Sequence, residues 1–477
     1  MIRSFTLLCF FALCSFAADK PNIILVMSDD QGWGQAGYMK HPLLKTPNLN
    51  AMADNGLRFN RFYAGAPVCS PTRASVLTGR NNDRTGVFSH GYALRLEEKT
   101  LSAALKKAGY ATGHFGKWHL DGLRGPGVPV LEDDTHSPGA FGFDEWLTVT
   151  NFFDLNPVMG RQGKFEEFKG DSSEVIVGEA LKFIKTQKEA GKPSFTVIWY
   201  GSPHNPFWAS EEDMKDFSSI HENGRKHHGE IVAMDRSIGT LRKTLRDLGI
   251  ADNTIIWFNS DNGGLTTKEV GSDSVGGLKG NKGSMWEGGL RVPCIIEWPA
   301  KIKARVTDFP ASTMDIMPTL LDILDLSKDN MNELYDGDSL KALFESETGP
   351  RKKPIPFHYS EKTAAIIDNN YKIIKHKLSG DKYELYDLKK DPKESTNIYG
   401  RDAEVSGRLK DQIEALIASV ANSIEGKDYP GGIVHERPVR KFWYEDSRYE
   451  KYFHLFWTRP EYAKWKSKAE KFLKQKK

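Results

Sequence analysis

Three stretches of the chain repeat one pattern: a short apolar, β-branched run that stops abruptly at polar residues. The run 21–27 ends in Ser28, Asp29 and Asp30, and the run 194–200 ends in Gly201, Ser202, Pro203 and His204. The run 254–258 ends in Asn259, Ser260, Asp261 and Asn262. Continuous apolar runs of this length predict strands buried on both faces, as in a parallel sheet covered by helices. Between them lies helical spacing, as at Leu101, Ala104, Leu105 and Ala108, closed by Gly109 as a C-terminal cap. The alternation predicts an α/β fold: a large mixed, mostly parallel sheet sandwiched by helices. Ligands of such folds gather at the carboxyl ends of the strands, where all of these polar residues sit.

The pattern changes near residue 350. Segments 371–375 and 382–388 read as short antiparallel strands, each exposed on one face. Val405, Leu409, Ile413, Leu416, Ile417 and Val420 mark one face of an amphipathic helix. The expected organisation is a signal peptide over 1–18, a catalytic domain over 19–348 and a small α+β domain over 349–430. An aromatic and basic extension, 431–477, follows; it contains Phe442, Trp443, Tyr444, Phe453, Phe456, Trp457 and Trp465. Of its two possible roles, packing onto the body or extending a cleft, packing is the expectation.

Charge narrows the function. With 66 basic and 63 acidic residues the net charge is +3, which gives no reason to expect a nucleic-acid partner. Arg3, the apolar run 5–16 and the small residues Ser15 and Ala17 read as a secretory signal. That run is too short to span a bilayer, and nothing later resembles a spanning segment, so no stable membrane insertion is expected. The protein is therefore expected to be secreted or periplasmic. Cys9 and Cys14 would leave with the signal, and Cys69 and Cys294 would remain, with one disulfide between them possible. Cys294 lies in an apolar strand-like run and reads as an inert core thiol.

Asp29, Asp30, Asp261 and Asn262 offer only hard oxygen ligands from two strand ends, which points to calcium or magnesium and favours Ca2+. Cys69 precedes Pro71, a residue suited to a first helical turn, so the thiol should sit at a helix N-terminus where the dipole favours negative charge. A cysteine phosphatase would wrap phosphate in a five-residue loop between Cys and Arg; here Arg73 comes four residues after Cys69.

These residues resemble the formylglycine-dependent sulfatases of the alkaline phosphatase superfamily. Cys69, Pro71, Thr72 and Arg73 match the family's core motif, and Leu77, Thr78, Gly79 and Arg80 match its continuation. Further likeness lies in Gly116-Lys117-Trp118-His119, Ser202-Pro203-His204, Gly280-Asn281-Lys282-Gly283, the segment 287–293 and the segment 384–392. The likeness is nearest to arylsulfatase A and N-acetylgalactosamine-6-sulfatase-like bacterial enzymes. The resemblance implies that a maturation enzyme oxidises Cys69 to formylglycine, whose hydrate attacks the sulfur of a sulfated carbohydrate. It also implies that Asp29, Asp30, Asp261, Asn262 and residue 69 surround the metal and that Arg73 holds the diol. Lys117, His204 and Lys282 would bind sulfate, with His204 also placed to protonate the leaving oxygen, and His119 would support the formylglycine. The family's further donor has no serine here, and Asn151 is the nearest candidate. His90, Arg95 and His136 are candidates for specificity, each with an ordinary loop role as the more common alternative. The rival functions are a phosphate or phosphonate ester hydrolase of the same superfamily and a non-catalytic glycan-binding protein on the same scaffold.

Overall fold

The apolar run at Asn22–Ser28 (β1) divides its side chains by strand alternation: Ile23, Leu25 and Met27 enter one core, Ile24 and Val26 the other. A strand buried this way must lie inside a sheet covered on both faces. In the computed structural model, which describes residues 20–432, 434 and 439–476, it does. The expected signal segment, 1–18, lies outside the described residues.

The large sheet has 11 strands. In chain order they are β1, Leu57–Tyr63 (β2), Ala111–Lys117 (β3), Glu145–Val149 (β4), Val158–Arg161 (β5), Lys164–Glu167 (β6) and Ser194–Trp199 (β7). Thr254–Ser260 (β8), Arg291–Glu297 (β9), Arg305–Thr307 (β10) and Ala311–Ser312 (β11) complete it. The spatial order is β10-β2-β9-β8-β1-β7-β3-β4-β5-β6, with β11 paired to β2. The five middle strands, β8 to β4, are parallel, and antiparallel pairings begin at β9 and β5. One face carries helices Cys69–Thr78 (α1), Leu101–Lys107 (α2) and Ile316–Ile323 (α5). The other carries Ser172–Glu189 (α3) and Glu222–Asp247 (α4). The expected mixed, mostly parallel sandwich is present.

Ile355–Tyr359 (β12), Thr363–Asp368 (β13), Tyr371–Lys375 (β14) and Glu384–Asp387 (β15) form a separate antiparallel sheet in sequential order. Helix Ala403–Ile424 (α6) buries Leu409, Ile413, Leu416 and Val420 against one face of it. The other face meets Tyr63, Leu290 and Met314 of the larger body. The expectation that β14 shows one face to solvent is therefore corrected. Lys372 of that strand is fully buried and paired with Glu287 and Glu394 at 3.1 and 2.9 Å.

Past residue 439, Lys441–Phe442 pairs in parallel with Leu123–Arg124. Trp443, Tyr444, Tyr449, Phe456 and Tyr462 close over Leu123, Val128 and Leu131 to form a core of their own. The chain ends in Ala463–Lys476 (α7). Among the described residues no helix is long and apolar enough to cross a membrane.

Candidate functional site

Four parallel strands end on one side of the sheet, and each is followed by a polar residue of the site. Asp29 and Asp30 follow β1, Asp261 and Asn262 follow β8, His119 follows β3, which itself ends in Lys117, and His204 lies past β7. Parallel pairing of neighbouring strands makes these ends coincide. The close approach of β3 to β7 depends on Gly116, at φ 110: a Cβ there would lie 1.9 Å from the Trp199 carbonyl oxygen. Asp30 and His119 also hold left-handed backbone, at φ 64 and 58, and such residues cluster at functional sites.

Cys69 begins α1 and is buried. Burial pushes its thiol up; Lys117 and Lys282 only partly oppose this, and Asp29 and Asp261 add to it. A thiol held protonated is a poor nucleophile. Cys294 is a second free, buried cysteine, so the possible disulfide between the two does not form.

Around Cys69 stand three carboxylates and three cations. Lys117 Nζ lies 2.5 Å from Asp29 Oδ2, Lys282 Nζ 2.6 Å from Asp30 Oδ1, and an Arg73 Nη 2.8 Å from Asp261 Oδ2. Arg73 also donates to the Lys117 carbonyl at 3.0 Å and lies over the Trp199 ring, which fixes its plane. Burial alone would raise Asp29, but Lys117, His204, Arg73 and Lys282 together hold it well below the usual carboxylate range. Asp261 moves the other way, pushed up by burial and by the charge of Asp29.

The residues fit a hard divalent cation. Asp29 Oδ1 and Asn262 Oδ1 are buried without a hydrogen-bond partner, an arrangement that costs free energy unless something else coordinates them. Ligand atoms of Asp29, Cys69 and Asp261 lie within 4.8 Å of one another, as do those of Asp29, Asp30 and His204. Oxygen donors dominate the set, as suits a hard ion.

Both histidines are kept neutral. His119 is buried with both ring nitrogens unpartnered, and burial with Lys117 and Arg73 holds it well below its usual value. His204 donates from Nδ1 to the Asn205 carbonyl at 2.6 Å and stacks on Phe152, leaving Nε2 3.8 Å from Asp30. Burial and Lys282 lower it to about 4.

Cys69, His119, His204, Lys282 and Asn151 line one cavity of about 380 Å³. Lys117, Arg73 and the aspartates lie beneath it. Asn151 has half of its donor capacity engaged, because Nδ2 donates to the Gly125 carbonyl at 2.6 Å. Of the specificity candidates, His90 lines the cavity. Arg95 instead donates to the Ser423 and Ile424 carbonyls at the end of α6, and His136 packs against Phe141. Sequence reasoning passed over Arg124 and Trp208 in this wall. It also set packing above the cleft for the extension, yet Phe442, Lys464 and Trp465 line the same cavity. The extension packs and lines the cleft at once. Its aromatic and basic composition was the available signal.

The profile of the Sulfatase family matches residues 21–326, and that of the C-terminal part of N-sulphoglucosamine sulphohydrolase matches 280–419. The chain is 31% identical over 392 residues to N-acetylgalactosamine-6-sulfatase of Canis lupus familiaris, covering 75% of this chain and 72% of that protein. It is 29% identical over 463 residues to human arylsulfatase A, covering 84% and 87%. The solved structure of Ps i-CgsB in complex with k-i-k-neocarrahexaose superposes with a TM-score of 0.74 at 26% identity, over 83% of this chain and 93% of that one.

Proposed function

Because the chain belongs to the sulfatase family, and so is a sulfuric ester hydrolase, we propose that it removes sulfate from a sulfated carbohydrate outside the cytoplasm. Supporting the carbohydrate are the N-acetylgalactosamine-6-sulfatase among its relatives and the k-i-k-neocarrahexaose bound in the similar structure. The amino-terminal signal pattern supports the location. The observation that carries the reading is the placement of Cys69, at a helix start and on the cavity floor, among three aspartates and three cations.

In this reading Asp29, Asp30, Asp261 and Asn262 hold Ca2+, which would supply positive charge for an oxygen nucleophile and a sulfate oxygen. A maturation enzyme converts Cys69 to formylglycine, whose hydrate supplies that oxygen nucleophile in place of the protonated thiol. Arg73, fixed between Asp261 and the Lys117 carbonyl, keeps the side chain at position 69 oriented. Lys117 and Lys282 bind the sulfate oxygens; each must turn from the aspartate it now meets, and a bound cation makes that exchange favourable. In the transition state negative charge grows on the leaving oxygen, and His204, with Nδ1 anchored, presents Nε2 for proton delivery. An anionic substrate beside His204 favours the protonated ring that this step requires. His119, which lines the same cavity with both ring nitrogens free, would accept a hydrogen bond from the hydrated side chain at position 69.

Intact-mass analysis of the Cys69 peptide tests the modification: formylglycine is about 18 Da lighter than cysteine. Release of sulfate from defined sulfated oligosaccharides, set against aryl sulfate and aryl phosphate, tests the substrate. Faster cleavage of the phosphate overturns the reading.

A further inference from the structure

The cavity that holds Cys69 has a second concentration of positive charge, built on residues with no part in the scheme above. His90 Nε2 lies 3.4 Å from a terminal nitrogen of Arg124 and 3.4 Å from one of Arg440. Arg440 also donates from Nε to the His90 carbonyl at 3.1 Å, which locks the group together. Each guanidinium carries five N–H donors, while a neutral imidazole offers one lone pair. Donors therefore far exceed acceptors. Among the described residues neither guanidinium makes an ion pair, and Arg124 Nε is buried without a partner. Aromatic faces hold them from behind: Arg124 lies over Phe442 at 4.5 Å and Arg440 over Tyr92 at 5.0 Å. Like charge this close is unfavourable without an anion, and it shows in the neighbours. Burial, Arg440 and Arg124 push His90 down to about 3, and burial with Arg440 lowers Arg124.

The placement fits a saccharide. His90 and Arg124 line the Cys69 cavity, whereas Arg440, Ser89 and Gly283 line an adjoining one of about 570 Å³. Trp465, which lines the Cys69 cavity beside Phe442 with the two rings 5.5 Å apart, supplies an aromatic surface of the kind sugar rings stack on.

Resting on the reading of the chain as a carbohydrate sulfatase, we propose that His90, Arg124 and Arg440 form a second anion subsite. It takes a sulfate or carboxylate substituent on the same saccharide whose scissile sulfate ester lies against position 69. The substrate is thus a saccharide with at least two anionic groups, and this subsite selects for the one that is not cleaved.

The test measures kcat and KM of the wild-type enzyme, Arg440→Gln, Arg124→Gln and Arg440→Lys. Substrates are an aryl monosulfate, monosulfated hexoses, their disulfated counterparts and sulfated disaccharides carrying a uronate. The expected wild-type preference for members with a second anion is at least about tenfold in kcat/KM, carried by KM. Both glutamine variants should lose it, Arg440→Lys should keep part, and all should cleave the aryl monosulfate within about twofold of wild type. Separate responses to disulfated and uronate-bearing members identify which anion is bound. The proposal falls if wild-type enzyme shows no preference, if the preference survives both glutamine variants, or if the variants lose aryl sulfate cleavage equally. A wild-type enzyme that cleaves no sulfate ester at all fails the underlying reading instead, and the aryl substrate distinguishes the two outcomes.

Discussion

Two of the buried charge clusters among the described residues differ in what is left over once partners are assigned. At the interface of the two sheets, Lys372 sits between Glu287 and Glu394. Three of the four oxygens of those carboxylates accept hydrogen bonds, from Lys372, the Tyr63 hydroxyl and the Glu287 amide, and the fourth, Glu394 Oε1, has no hydrogen-bond partner but lies 2.9 Å from the Lys372 ammonium. At the strand ends, Asp29, Asp30 and Asp261 meet Lys117, Lys282 and Arg73 at similar distances, yet Asp29 Oδ1 and Asn262 Oδ1 remain unpartnered beneath a cavity. Burial and ion pairing are common to both. The surplus acceptors and the access to ligand belong to one. A closed cluster holds the fold together; an open one keeps capacity for a cation and a substrate at some cost in stability.

The comparison is broken most decisively at Cys69. Cys69→Ala should lower sulfate release by at least about 10⁴-fold while leaving the melting temperature nearly unchanged. Residual activity within tenfold of wild type would place the chemistry elsewhere. Next come the paired lysines. Lys117→Met should reduce kcat/KM by about 10²- to 10³-fold, with a smaller loss of stability than Lys372→Met because Arg73, Lys282 and a bound cation still offset the charge of Asp29. Lys372→Met should cost about 3–5 kcal/mol in denaturant unfolding, as expected for an uncompensated buried charge, and leave kcat/KM of the folded enzyme intact. Similar behaviour of the two variants would erase the distinction.

A smaller effect comes from the cation. Chelation should lower both activity and melting temperature, and calcium added to 100 times its dissociation constant should restore about 2.7 kcal/mol. Lys372→Met should respond to calcium as wild type does, and Asp261→Asn much less. The smallest effect is that of pH. His114 is buried with both ring nitrogens unpartnered, among the rings of Trp118, Trp199 and Phe143, and burial holds it well below its usual value. The unfolded chain therefore binds more protons than the folded one below about pH 6.5. Stability should be level above that pH and fall beneath it, by at most about 1.4 kcal/mol per pH unit for this group. His114→Phe should flatten that slope as measured by unfolding at pH 5 and 7, whereas Lys372→Met should not.

Much of the open cluster was legible along the chain because it obeys local rules. Asp29, Asp30, Asp261 and Asn262 follow apolar runs, and parallel pairing brings the ends of such runs together without further information. Cys69 was legible for the same reason, since Pro71 marks the helix it begins. Arg73 and Lys282, by contrast, lie in a helix and a loop and were legible through the family resemblance of their segments. The closed cluster was not legible. The segment 371–375 reads as a strand exposed on one face, and only packing against Glu287, 85 positions away, shows Lys372 buried. The anion subsite was legible only at His90, a specificity candidate; Arg124 and Arg440 carry no motif, and Arg440 lies 350 positions from His90. Arg95 and His136 show the converse, polar loop residues whose partners prove to be structural.

The cavity wall also carries a consequence for the order in which the molecule is made. Position 69 leaves the ribosome several hundred residues before Phe442, Lys464 and Trp465, which line the same cavity. During synthesis Cys69 is thus without its wall for several hundred residues of elongation. Any enzyme that has to grip the chain around Cys69 finds its opening in that interval, before the final aromatic segment folds down and the residue becomes 2% exposed.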